Sequence, residues 1–188
     1  MVLSTAYFPP AEYFSVLAKY SDVFLCDWEN YQKQSYRNRC YILTANGPEP
    51  LMFPIVHDGS KLITEVKVDY STPWLRRTEY AIDSAYYSSP FFEYYRDELF
   101  AILDSRPEKL WDLNREITAF FCRKIGIPAP KAEGGSRDDE SLVIHPKVKS
   151  SYEAREYWQV FKEKFGFVPN LSVMDLLFNE GPESICYL

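Results

Sequence analysis

The sequence predicts an α/β fold: a mixed sheet of about four or more strands packed with a three-helix segment, plus a C-terminal helical tail. Before Tyr70, short apolar or alternating runs separated by turn residues mark strands. Between Pro73 and Gly126 apolar residues recur at helical spacing, and they do so again after Arg155. At 188 residues the chain has the size of one domain. It is expected to form a core over 1–127, a linker over 128–141 and a tail over 142–188 that docks back on the core.

The elements follow in order. Tyr13, Phe14, Leu17 and Ala18 give Ala11 to Tyr20 a helical stripe after Pro9-Pro10. Val23-Phe24-Leu25-Cys26 reads as a buried strand running into the polar Asp27-Trp28-Glu29-Asn30. Arg39 to Thr44 and Leu51 to Val56 flank the turn Asn46-Gly47-Pro48, and Glu65 to Tyr70 alternates as a half-exposed strand does. Ser71-Thr72-Pro73, Ser88-Ser89-Pro90 and Ser105-Arg106-Pro107 each set a hydroxyl ahead of a proline, so each predicts a capped helix start. Leu110, Leu113, Ile117, Phe120 and Phe121 stripe the third of these helices, which Gly126 ends. Beyond the Pro- and Gly-rich linker, Leu142-Val143-Ile144 predicts an edge strand. Tyr157, Trp158, Phe161 and Phe165 predict a helix, and Asn170 is expected to cap a last one through Phe178.

Composition excludes several classes. A net charge of −6 disfavours general nucleic-acid binding, which needs surplus Lys and Arg against phosphate. No apolar run approaches the roughly 18 residues a bilayer requires, and the N-terminus lacks the pattern of a secretory signal, so a cytoplasmic location is expected. Cys26, Cys40, Cys122 and Cys186 are irregularly spaced, with no chelating cluster, which predicts free thiols and no metal. Nucleotide-binding glycine loops, a serine elbow and HExxH are missing, so no cofactor is expected. His57 and His145 are far apart and read as surface or satisfied residues. An aromatic content of 17% supplies a Tyr-rich core or a surface that stacks on a sugar or base.

The polar run from Asp27 to Arg39 lies between two predicted strands, where α/β proteins present ligand-contacting groups. Asp27 and Glu29 are the candidate bases. Lys33, Tyr36, Arg37, Asn38 and Arg39 are the candidate substrate contacts, the arginines suited to a phosphate or carboxylate. The same charges could equally pair with one another on a solvated surface.

Tyr7-Phe8-Pro9-Pro10, Val23 to Asp27, Lys33 and Tyr36-Arg37-Asn38-Arg39 are followed in order by Asn46-Gly47, Val66-Lys67-Val68-Asp69, Trp74, Ser89-Pro90-Phe91-Phe92 and Ile125-Gly126-Ile127. In these motifs the chain resembles the WbqC-like family of bacterial O-antigen and surface-polysaccharide gene clusters. The tail motifs Phe167 to Ser172 and Leu176 to Pro182 are similar to a Bacteroidetes-type branch. The chain departs from the commoner family pattern at Trp28, where a second acidic residue is usual, and at Thr78, where a helix-borne histidine is. The resemblance implies a cytoplasmic transferase of polysaccharide biosynthesis, adding an amino acid such as glycine to a nucleotide- or lipid-linked amino sugar. On that expectation Asp27 or Glu29 frees the amine, Arg37 and Arg39 hold a diphosphate, and Asn38 or Lys33 faces the oxyanion. The ligand is then a sugar or nucleotide sugar. The alternative is a noncatalytic interaction protein that binds a partner enzyme of glycan assembly through its aromatic tail.

Overall fold

The computed structural model describes residues 1–188. β1 (Val2–Leu3) leads through a loop to α1 (Ala11–Lys19), which returns to β2 (Phe24–Leu25). β1 and β2 pair in parallel, Val2 opposite Phe24. Single bridges extend the pair on both sides, Ser141 beside Val2 and Lys131 beside Phe24. The linker thus supplies the two outer members of a narrow parallel ribbon. The edge strand expected at Leu142 to Ile144 is only the bridge at Ser141.

β3 (Arg39–Thr44) and β4 (Gly47–Met52) form an antiparallel hairpin, with Thr44 paired to Gly47. Gly47 sits at φ 110, a conformation open to glycine and strained for other residues. The expected mixed sheet of four or more strands does not form: two two-stranded sheets replace it. β4 carries Pro48 and Pro50, which have no N–H to offer a further strand. The segment expected as a strand at Glu65 to Tyr70 makes only isolated bridges, Val68 to Ile55 and Lys67 to Lys109. Its alternation survives without a sheet, since Val66 and Val68 are buried and Glu65 is exposed.

Three helices follow: α2 (Trp74–Tyr86), α3 (Phe92–Asp104) and α4 (Leu110–Ile125). Each begins one to three residues after its proline, but none receives a side-chain cap. Ser71 lies in a turn held by Asp69, and the Ser89 hydroxyl is buried without a partner. Ser105 Oγ donates to the Ile102 carbonyl at 2.7 Å, closing α3 instead of opening α4. Arg96 of α3 grips Asp83 of α2 with two nitrogens, at 2.6 and 2.9 Å. Gly126 ends α4 in the left-handed region at φ 85. No helix is long and apolar enough to cross a membrane.

The tail packs into the core. The long aromatic helix expected from Arg155 shrinks to α5 (Lys162–Phe165), and α6 (Val173–Glu180) is followed by a 3-10 turn over Gly181–Tyr187. Leu171 to Asn179 are all buried. Phe178 meets Tyr86 at 5.2 Å and Phe92 at 5.1 Å, edge to face. Ser172, not Asn170, caps α6 by accepting from the Met174 N–H. Asn170 instead accepts from the Glu12 N–H at 2.9 Å, capping α1 from the far end of the chain.

One carboxyl goes into this core with α6. Asp175 accepts from the Tyr157 hydroxyl at 2.7 Å and the Gln159 amide at 2.8 Å. Burial pushes it up to about 6, against the lowering effect of those hydrogen bonds. A raised folded-state value means that folding favours the protonated form. The stability this gives is complete below the unfolded value and is lost as pH rises through about 6. Its size is on the order of 3 kcal/mol. Asp175→Asn should therefore flatten the stability profile between pH 4 and 7 relative to the wild type, as read by urea unfolding across that range. Parallel profiles would contradict this account of the buried carboxyl.

Candidate functional site

The polar run between β2 and β3 is pinned by one ion pair. Arg37 is 6% exposed. Its Nε donates to Glu29 Oε1 at 3.1 Å, and its Nη2 donates to Glu29 Oε2 and, at 3.0 Å, to Ser4 Oγ. Ser4 Oγ in turn donates to Glu29 Oε2 at 2.8 Å. From α4, Asn114 Nδ2 donates to the Arg37 carbonyl at 2.8 Å. Both carboxylate oxygens of Glu29 and most guanidinium donors are spent within the fold, so these two residues serve each other first.

With that pair fixed, the run becomes a wall between two cavities. Tyr31, Lys33 and Asn38 line the first, of about 610 Å³; Glu29, Gln32 and Arg37 line the second, of about 300 Å³. The seven sequence-predicted site residues therefore do not converge. Tyr36 faces a third groove beside Tyr41 and Asn170, its phenol pushed up to about 12 by burial. Asp27 and Arg39 line neither of the two main cavities.

The first cavity is closed by the end of β4, the turn after it and the start of α2. Trp74 is buried in its wall, its indole N–H donating to the Asp69 carbonyl at 3.0 Å and its ring stacked on Tyr70. Asn38 Nδ2 donates to the Phe53 carbonyl at 2.7 Å, which sets the depth of the floor. Lys33, His57 and Arg77 lie around the opening, and no aspartate, glutamate or cysteine is among the 14 lining residues. Thr78 is here too, 3% exposed. Burial raises the Tyr31 phenol, against the lowering effect of Arg37 and Arg39. Sequence reasoning missed His57 and Arg77, which reach the cavity from a turn and a helix far along the chain. The signal available was weak: an exposed histidine after a hairpin and an arginine in a first helical turn.

The second cavity opens at the carboxyl ends of the parallel segments, a usual place for ligands in open parallel sheets. Trp28, Arg137, Asp139 and His145 rim it around the Glu29–Arg37 floor. His145 is held below its ordinary value by burial and by the nearby Arg37 and Lys147. Thr78 thus lies in the first cavity and Trp28 in the second. Cys40 and Cys122 are buried, Cys26 half-buried and Cys186 exposed, all as free thiols. No group of three or more His, Cys, Asp or Glu is placed to hold a metal ion.

The narrow parallel ribbon, the hairpin and the two-sided polar wall define an α/β protein with a cation-rimmed cavity. The family model described as the WbqC-like protein family matches residues 5–139, and the chain belongs to that family. All residues of the first cavity fall inside this span, whereas His145 of the second falls outside it. The chain is also similar to the "Uncharacterized protein Rv1507c" of Mycobacterium tuberculosis, at 25% identity over 222 aligned residues covering 100% of this chain and 96% of the relative. No solved structure matches significantly.

Removing the guanidinium should show what the wall depends on. Arg37→Ala leaves Glu29 in a half-buried site with Ser4 as its remaining partner, and should cost about 3–5 kcal/mol in chemical unfolding. A loss under about 1 kcal/mol would mean the pair behaves as an exposed surface bridge.

Proposed function

We propose that the protein is a transferase of surface-polysaccharide (O-antigen-like) assembly. On this reading it holds a nucleotide- or lipid-linked amino sugar by its diphosphate in the first cavity and adds an amino acid such as glycine to the sugar amine. One observation carries the reading. In a chain of net charge −6, this cavity gathers Lys33, His57 and Arg77 and has no carboxylate in its lining. Such a field attracts phosphate, and arginine and lysine bind phosphate oxygens through charge-assisted hydrogen bonds. A volume of about 610 Å³ lies within the usual range for small-molecule sites.

In this scheme Lys33 and Arg77 take the diphosphate, while Asn38 and Tyr31 meet the sugar. Arg37 and Glu29 hold the wall instead of touching the ligand, which differs from the roles the sequence suggested for them. Work in the cytoplasm beside a partner enzyme of glycan assembly fits the same scheme.

A noncatalytic interaction protein is favoured by a different observation. Tyr80, Tyr87 and Tyr94 of the α2–α3 pair are 76%, 74% and 78% exposed, a bare aromatic surface. Trp158 is the exposed aromatic of the tail, where Tyr157 is buried.

Calorimetry with UDP-glucosamine separates the two. Wild-type protein should bind it, and Lys33→Ala and Arg77→Ala should each weaken binding about 10–100-fold, the worth of one hydrogen bond between charged groups. Unchanged affinity in both variants, or no binding by the wild type, would move the weight to the interaction reading.

A further inference from the structure

Among the side chains that line the first cavity, one is built to take up and return a proton. The lysine ammonium and arginine guanidinium carry donors and no acceptor. Threonine and asparagine do not titrate, and burial raises the Tyr31 phenol away from neutrality. Aspartate, glutamate and cysteine are missing from the lining. What is left is His57, whose imidazole can accept a proton at one ring nitrogen and pass it on. We infer that His57 is the general base of the transfer, taking the proton from the sugar amine as that amine attacks. The inference rests on the reading of this cavity as the amino-sugar site.

The two carboxylates that the sequence offers for this role are elsewhere. Glu29 faces the second cavity and spends its oxygens on Arg37 and Ser4, and Asp27 lines neither cavity. Thr78, at the position of the family's histidine, shares the cavity with His57, but a hydroxyl is not a base at neutral pH.

The backbone around His57 is anchored. Ile55 bridges Val68, the Val56 N–H donates to the Lys67 carbonyl at 2.9 Å, and the Asp69 N–H donates to the Pro54 carbonyl at 3.0 Å. The imidazole is thereby carried to the rim on a fixed turn. Charged groups around it come from each neighbouring element: Lys33 from the polar wall, Arg77 from α2, Asp58 next in the chain, and Asp69 from the bridged segment. Asp69 is held below its ordinary value by hydrogen bonds from Ser71 and, to a lesser degree, by the positive field of His57, so the two are within electrostatic reach.

The step balances with an activated acyl ester as co-substrate. The amine lone pair forms the nitrogen–carbon bond at the ester carbonyl, and the carbon–oxygen bond to the ester's alcohol breaks, its electron pair leaving with oxygen. The proton lost from nitrogen passes to His57 and from His57 to the departing alkoxide. The products are an amide and an alcohol, and the imidazole returns to its starting state. Lys33 and Arg77 stay on the diphosphate throughout.

The chain has two histidines, one at each main cavity, so they report separately on the two sites. Nitrogen-15 imidazole spectra of labelled protein, assigned with His145→Gln, should show saturable movement of His57 with UDP-glucosamine and none of His145. Binding seen by calorimetry that leaves His57 unmoved would overturn its role. Movement of His145 alone would overturn both the role and the choice of cavity, and no binding would overturn the cavity reading and this inference with it. In a transfer assay with UDP-glucosamine and a glycyl ester, His57→Gln should lose rate on the order of 100-fold at saturating substrate. Undiminished turnover by His57→Gln would overturn the inference while leaving the cavity reading intact.

Discussion

Arg37 reaches Glu29, Ser4 and Gln32 at once, and the chain between β2 and β3 is arranged around that reach. A guanidinium 6% exposed needs a counter-charge and filled donors, because an unpaired buried charge costs several kcal/mol. The pair ties Ser4, at the end of β1, to the run after β2, while Asn114 of α4 secures the Arg37 backbone. Three elements distant in sequence are registered against each other through one side chain.

That registration decides what each cavity contains. Glu29 turns to Arg37 at the second cavity, and the lining of the first holds Lys33 and Arg77 with no carboxylate among them. The same economy operates at the tail. Tyr157 and Gln159 satisfy the one carboxyl that α6 carries into the core, which lets a helix buried on every side remain attached by specific contacts as well as by Phe178.

Some of this was legible in the residues. β3 ran from Arg39 to Thr44 as its pattern required and Gly126 closed α4 in the left-handed region, whereas the hairpin turned at Ala45-Asn46, so that β4 spans Gly47–Met52 and not the expected Leu51 to Val56. These features are local: proline, glycine and the side-chain period act within a few residues. The sheet was misjudged because pairing is not local. An alternating stretch such as Val66 to Asp69 satisfies its backbone against two different neighbours by single bridges, and its sequence is the same whether or not a sheet forms.

By itself, then, the sequence determined the helices before Gly126, the strand β3, the polar run and the family to which the run belongs. Only the tertiary structure decided which side of the wall each polar residue faces, that Glu29 belongs to Arg37, that Asn170 serves α1, and that His57 and Arg77 join Lys33 around one cavity. Glu29 and Arg37 are eight positions apart and the other partners come from segments tens of positions apart, so no preference acting within a few residues encodes them.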